Sequence, residues 1–276
     1  ALYGGSYELI DTNDFTDSTP VSALLAKGYA FATLNDVTNL PEKIVDGSAT
    51  TLNPGLKNVT VVKHTHTYTE TNTKCACGAV LYAKVTSADG TTDKYFDSIE
   101  EGLLYADKAE NKGCVFTLVT RGVLKVKVTL SSGQFTIATA TTNNTYVIGP
   151  YEGKITIDGA DVIAEGDLAI RCNVYVKSGS LTLPEGSGTG FDSIIISGGT
   201  VTISEGVNAD SYAGADNLSV DKDATDVKLT IGGGTYGNVY FGQLKLKDVL
   251  ASGVRVISYD NPSDPTAEKT ATALLY

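Results

Sequence analysis

The sequence predicts an all-β protein, built as a right-handed parallel β-helix or solenoid with a strand–helix–strand cap. Three observations point there. Gly is abundant at 29 residues, and Thr, Val, Ile and Tyr recur in short runs with no Met or Trp; β-branched and aromatic residues suit a pleated surface and Gly suits tight corners. From Leu124 onward, short segments alternate apolar with polar residues and end on Gly or Asn. A strand–corner–strand pattern recurs at Ser178-Gly179-Ser180, Gly198-Gly199-Thr200 and Gly233-Gly234-Thr235, and such repetition marks a solenoid.

In chain order, one helix stands out. "FDSIEEGLLYADKAENKG", Phe96 to Gly113, spaces Ile99, Leu103, Leu104 and Ala106 helically. Asp97 or Ser98 suits its N-cap and Gly113 a left-handed close. "KYF" precedes it and "CVFTLV", Cys114 to Val119, follows as a buried strand. The strands expected afterwards are "LKVKVTL", "QFTIAT", "TYVIG", "KITIDG", "DVIAEG", "LAIRCNVYVKSG", "SLTLPEG", "SIIISGG", "TVTISEG", "VKLTIGGG", "TYGNVYFG", "LKLKDVL" and "VRVISY". Inward Ile, Val and Leu would stack from coil to coil. An antiparallel sandwich also has short strands and Gly turns; the lack of clear Asn-Gly hairpin turns favours the solenoid.

The chain has 276 residues, 42% hydrophobic, enough for one large β domain or two smaller units. Its net charge of −11 opposes binding to nucleic acid and to anionic lipid. No apolar run approaches the ~20 residues that span a bilayer, so no membrane insertion is expected. No signal peptide is visible, and Ala1 in place of Met suggests a chain processed or excised from something longer. Four Cys do not read as a disulfide framework at this length.

A longer repeat sets the organisation. "YGGSY", Tyr3 to Tyr7, and "ALLAKGYAFATLND", Ala23 to Asp36, align with "GGGTY", Gly232 to Tyr236, and "DVLASGVRVISYDN", Asp248 to Asn261. The match spans about 35 residues with a four-residue length difference, pairing Leu25 with Leu250 and Gly28 with Gly253. The expected division is the tail of a preceding solenoid-like module over 1–45, a linker with a His/Cys cluster over 46–90, and a β-solenoid module with an N-terminal helix cap over 91–276. Residues 37–63 read as a connection.

"HTHTYTETNTKCACGAV", followed by "YFDSIEEGLLYADKAENKGCVFTLV", resembles segments of repetitive, adhesin-like β-helix cell-surface proteins of gut Firmicutes. The "ALLAKGYAF" block is similar to the end of such modules. The resemblance implies an extracellular, wall-associated location and no defined catalytic activity, so no catalytic residue carries over.

Residues 64 to 78, "HTHTYTETNTKCACG", hold both His and two of the four Cys. On an extended strand, residues i and i+2 face the same way. His64 and His66 therefore point together, as do Cys75 and Cys77, and the eight residues between the pairs allow a turn that sets them face to face. Two imidazoles and two thiolates satisfy tetrahedral Zn²⁺, which would staple a stretch poor in apolar residues. C-x-C with H-x-H departs from the commoner zinc spacing, so free or oxidised thiols and another metal remain alternatives. Four ligands suggest a closed, structural site; a catalytic zinc would need an open position and a base such as Glu70. Cys114 and Cys172 read as buried thiols, with a disulfide between them the alternative.

Two acidic stretches, "DTNDFTD" (Asp11 to Asp17) and "NADSYAGADNLSVDKDATD" (Asn208 to Asp226, with Asp210, Asp216, Asp221, Asp223 and Asp226), raise Ca²⁺ as a second possible ion. Lacking an EF-hand pattern, they read better as solvated loops. A polysaccharide lyase or hydrolase would need paired carboxylates. Asp158, Asp161, Glu165 and Asp167 are close in sequence but fall at corners, Arg171 and Arg255 are isolated, and no His lies in the solenoid. The expectation is a non-catalytic structural or adhesive module. Its partners would be a host glycan or protein, or other copies of itself. A filament built by strand addition and a β-helix polysaccharide-cleaving enzyme are the alternatives.

Overall fold

The computed structural model describes residues 1–10, 21–48, 56–69, 72–140, 146–148, 153–204, 214–233 and 235–254. Strands dominate, and the chain is all-β as its composition predicts. It divides into two compact units, Ala1–Leu81 and Tyr82–Tyr276.

The first unit holds β1 (Ser6–Ile10), β2 (Tyr29–Leu34), β3 (Pro41–Ile44) and β4 (Leu56–Lys63). They form an antiparallel sheet in the order β1-β4-β2-β3. Residues 37–63, read as a connection, thus supply two strands, one of them central. The apolar residues of β4 explain this: Leu56, Val59 and Val61 are buried with Val21 and Phe31 in one small core. Ala30 of β2 belongs instead to a second cluster with Cys75 and Cys77. Alanine at that position leaves room for a loop to pack on the strand.

The second unit opens with β5 (Ala83–Thr86), β6 (Asp93–Phe96), α1 (Ile99–Ala106) and β7 (Val115–Leu118). This is the strand–helix–strand that the sequence predicts. Ser98 is the N-cap, its Oγ accepting the Glu101 N–H at 3.3 Å. The helix ends at Asp107 rather than Gly113. The Asp107 carboxylate, 6% exposed, leaves the helix to accept the backbone N–H groups of Ser131, Ser132 and Gly133 at 2.8–3.2 Å. A 3-10 turn, Ala109–Asn111, follows, and Gly113 is left-handed with φ 80.

Strands then succeed one another as β8 (Lys127–Leu130), β9 (Gln134–Thr139), β10 (Tyr146–Ile148), β11 (Lys154–Ala164), β12 (Leu168–Leu183), β13 (Gly190–Ile196), β14 (Gly199–Ile203), β15 (Gly214–Val220), β16 (Val227–Ile231) and β17 (Thr235–Tyr240). β5 pairs antiparallel with β6 and β7; the described pairings from the β7–β9 pair onward are parallel. The register places like on like. Val128, Ile155, Val174, Ile194, Leu218 and Val239 oppose one another in turn. So do Phe135, Val162, Leu181, Val201 and Leu229, and Ile148, Ile170, Phe191, Ala215 and Tyr236. All but Val239 and Tyr236 are buried. Each large member of these columns contributes about 1.5–3 kcal/mol by leaving water.

The predicted corners stack as well, in part. Ser180 lies opposite Thr200, and Gly179 and Gly199 are both left-handed, with φ 78 and φ 75. A Cβ on Gly179 would collide with the Ala160 carbonyl. The third example belongs elsewhere: Thr235 opposes Gly214.

Two expectations are corrected. "LKLKDVL" is not a strand: Leu246–Val249 is a single helical turn, α2. Its Leu246, Val249 and Leu250, at i, i+3 and i+4, pack on the core, so one short run fits both periods and the helical one wins. The stretch Asn208 to Asp226 is not all loop, because Gly214–Val220 pairs with β13 and buries Ala215, Leu218 and Val220. Five acidic residues hid that alternation. Residues 255–259 of "VRVISY" lie outside the described residues.

Candidate metal centre

The four expected ligands lie in the first unit. After β4 ends at Lys63, burial alternates: His64, His66 and Tyr68 are half-buried, while Lys63, Thr65, Thr67 and Thr69 are exposed. The two imidazoles therefore share a face, with ring centroids 5.4 Å apart. The second arm is a tight turn. The Gly78 N–H donates to the Cys75 carbonyl at 2.9 Å, the Cys75 N–H donates to the Ala79 carbonyl at 2.8 Å, and Lys74 bridges Val80 antiparallel. Gly78 has φ 90, and a Cβ there would collide with the Asp46 carboxylate. Asp46 also pairs with Lys74 at 2.7 Å. Hydrogen bonds from the Lys74 ammonium and from Ser48 hold its carboxyl at about 2.

The turn brings Cys75 and Cys77 inward, 3% and 6% exposed, against Ala30, Ile44, Tyr68 and Ala79. Ligand atoms of His64, His66 and Cys77 lie within 4.8 Å of one another, and His64 Nε2 lies 3.1 Å from Cys75 Sγ. A divalent ion with bonds of about 2.0–2.3 Å spreads its ligand atoms roughly 3.3–3.8 Å apart. The His64/His66/Cys77 cluster can thus hold a metal.

The two thiols are unlike. Burial raises Cys75, but hydrogen bonds from the Cys77 and Thr67 backbone, the His64 ring and the Cys77 thiol outweigh it and bring it down to about 7. Burial pushes Cys77 up, and its neighbour Cys75 adds to the rise. Two adjacent buried thiolates are costly without a cation, and a divalent ion removes that cost as it displaces the protons.

Tyr68 is a residue the sequence reading missed. Its hydroxyl lies 3.0 Å from His66 Nδ1, which fixes the ring and leaves Nε2 for a ligand role. The signal was present: Tyr68 follows His66 by two, as His66 follows His64. Glu70 lies outside the described residues.

Other candidates are structural. Cys114 and Cys172 are buried free thiols; burial, then the Asp192 charge, pushes Cys172 up to about 12. Asp158 and Asp161 sit at the kink of β11, accepting from Ser178 at 2.9 Å and from Ser180 and Gln134 at 2.7 and 2.9 Å. Arg171 pairs with Asp192 at 3.2 Å. Residues 11–17, Asp210 and Arg255 lie outside the described residues, and Asp221 and Asp223 are exposed. No described helix is long and apolar enough to cross a membrane. No family model, curated protein or solved structure matches the chain.

Proposed function

We propose that this chain is a non-catalytic structural or adhesive module of a bacterial extracellular, wall-associated repeat protein. Its second unit is a right-handed parallel β-helix closed at one end by the β5–α1–β7 cap. Its first unit is stapled by a structural Zn²⁺ on His64, His66, Cys75 and Cys77. The observation that carries the reading is the set of in-register apolar columns, Val128 through Val239 above all. Such stacking gives a stiff body in which each coil bonds to its neighbours.

Side chains along the coils favour display over chemistry. Asp161 is shared between Gln134 and Ser180, and Asn238 donates to Asn217 at 3.1 Å. A shallow groove over Gln134, Phe135, Asp161, Ile163, Ser180 and Thr182 offers polar and apolar atoms side by side to a host glycan or protein. The test is a paired screen of the purified chain. Binding to an array of host glycans and matrix proteins is expected, without turnover on a polysaccharide panel. Turnover that Asp161→Asn abolishes would replace this reading with a carbohydrate-cleaving enzyme.

A further inference from the structure

Two stretches of the chain fold as the same arch. Leu2 bridges Leu25 in parallel, and Ile231 bridges Leu250 in parallel. The Ala26 N–H donates to the Leu2 carbonyl at 2.8 Å, and the Ala251 N–H to the Ile231 carbonyl at 2.9 Å. The Tyr7 hydroxyl donates to the Gly4 carbonyl at 3.1 Å, and the Tyr236 hydroxyl to the Gly233 carbonyl at 2.8 Å. Each arch contains a short helical turn, Val21–Leu24 or Leu246–Val249. Each ends on a left-handed glycine, Gly28 at φ 80 or Gly253 at φ 85. These are the positions the sequence repeat aligns, so β17 corresponds to β1: Thr235 to Ser6, Tyr236 to Tyr7, Asn238 to Leu9.

The two strands differ in what holds them. Within its sheet β1 is paired by β4, antiparallel, with Ser6 opposite Thr60, Tyr7 opposite Val59 and Leu9 opposite Lys57. Among the described residues β17 is paired only by β15, in parallel. These are opposite edges. Ile231 meets Ile203 of the preceding strand on one side and Leu250 on the other, so the arch grows away from β14 and β15. In the first unit β4 lies on that growing side, between β1 and the β2 strand that continues the arch. The described residues therefore contain two β1-type strands and one β4-type strand. An open strand edge offers unpaired N–H and C=O groups to an incoming strand.

We propose that the growing edge of β17 is a docking edge for the antiparallel β4 strand of a second copy of this module, exchanged out of its pairing with that copy's own β1. The incoming strand would set Thr60 opposite Thr235, Val59 opposite Tyr236 and Lys57 opposite Asn238. It joins modules end to end by strand addition. Within one chain β1 occupies β4, so a β4-type strand without its own β1 is the direct probe.

The test is the full chain carrying, after a flexible Gly/Ser linker, a second copy of residues 56–63. Tethering supplies the strand at high effective concentration. Hydrogen exchange is read at Tyr236–Tyr240, with β12 as the control for an intact fold. Exchange of the outward amides of β17 is expected to slow at least tenfold relative to the unextended chain. The slowing is expected to vanish when Val59→Pro and Val61→Pro are placed in the appended strand alone. Unchanged exchange at Tyr236–Tyr240, or slowing confined to β1, would overturn the proposal. Zinc content of the same sample reports on the metal site separately.

Discussion

His64 Nε2 lies 3.1 Å from Cys75 Sγ, although the two residues belong to different arms of a loop with little apolar material. One arm is an extension of β4; the other is a turn pinned by Gly78 and packed on Ala30. Tyr68 of the first arm packs against the cysteines of the second. The proposed ion would tie the two arms together, and the consequences are measurable.

Tyr68→Phe keeps the ring packing and removes the hydroxyl beside His66 Nδ1. Loss of such a partner lowers metal affinity about 10- to 100-fold. Competition with a chelator of known affinity measures it, and an unchanged affinity would remove Tyr68 from the site.

Cys172, held up at about 12 by burial and then the Asp192 charge, and buried Cys114 should resist alkylation in the folded chain. Labelling at pH 8 followed by peptide mapping is expected to modify neither until the protein is unfolded. Chelator treatment is expected to raise labelling at Cys75 and Cys77 and to leave the other two unlabelled.

Asp107→Asn should destabilise the second unit by about 3 kcal/mol. Hydrogen bonds to a charged acceptor are the stronger kind, and a buried donor left unpaired carries a desolvation cost. Here one carboxylate serves the N–H groups of Ser131, Ser132 and Gly133. Urea unfolding checks the value; a change below about 0.5 kcal/mol, the ordinary range for surface substitutions, would contradict the role given to the cap.

Gly179→Ala combines a left-handed backbone with a Cβ aimed at the Ala160 carbonyl. The conformational term alone is about 1–2 kcal/mol, so the thermal midpoint should fall by several degrees. Ala at Gly90, left-handed but with open space around it, should cost less.

The fold was legible where one period ruled. Strands such as Gln134–Thr139 alternate cleanly, and α1 carries both its apolar spacing and its Ser98 cap. Legibility failed where two demands met on the same residues. The run around Leu246, Val249 and Leu250 satisfies both periods, and packing on the core decided for a turn of helix. Gly214–Val220 was masked by its acidic neighbours. The central place of β4 depends on pairing with both β1 and β2, which local sequence does not encode. At the site, i+2 spacing placed His64 with His66. The same spacing placed Tyr68, but its role follows only from the hydrogen bond that the fold creates.

Metal content of protein purified without added metal, with thiols titrated on the same sample, decides whether the His/Cys loop is a zinc staple. About one zinc per chain is expected, lost when Cys75 and Cys77 are both replaced by Ser. Metal-free protein that takes up no zinc on addition, or zinc retained after both replacements, would contradict it.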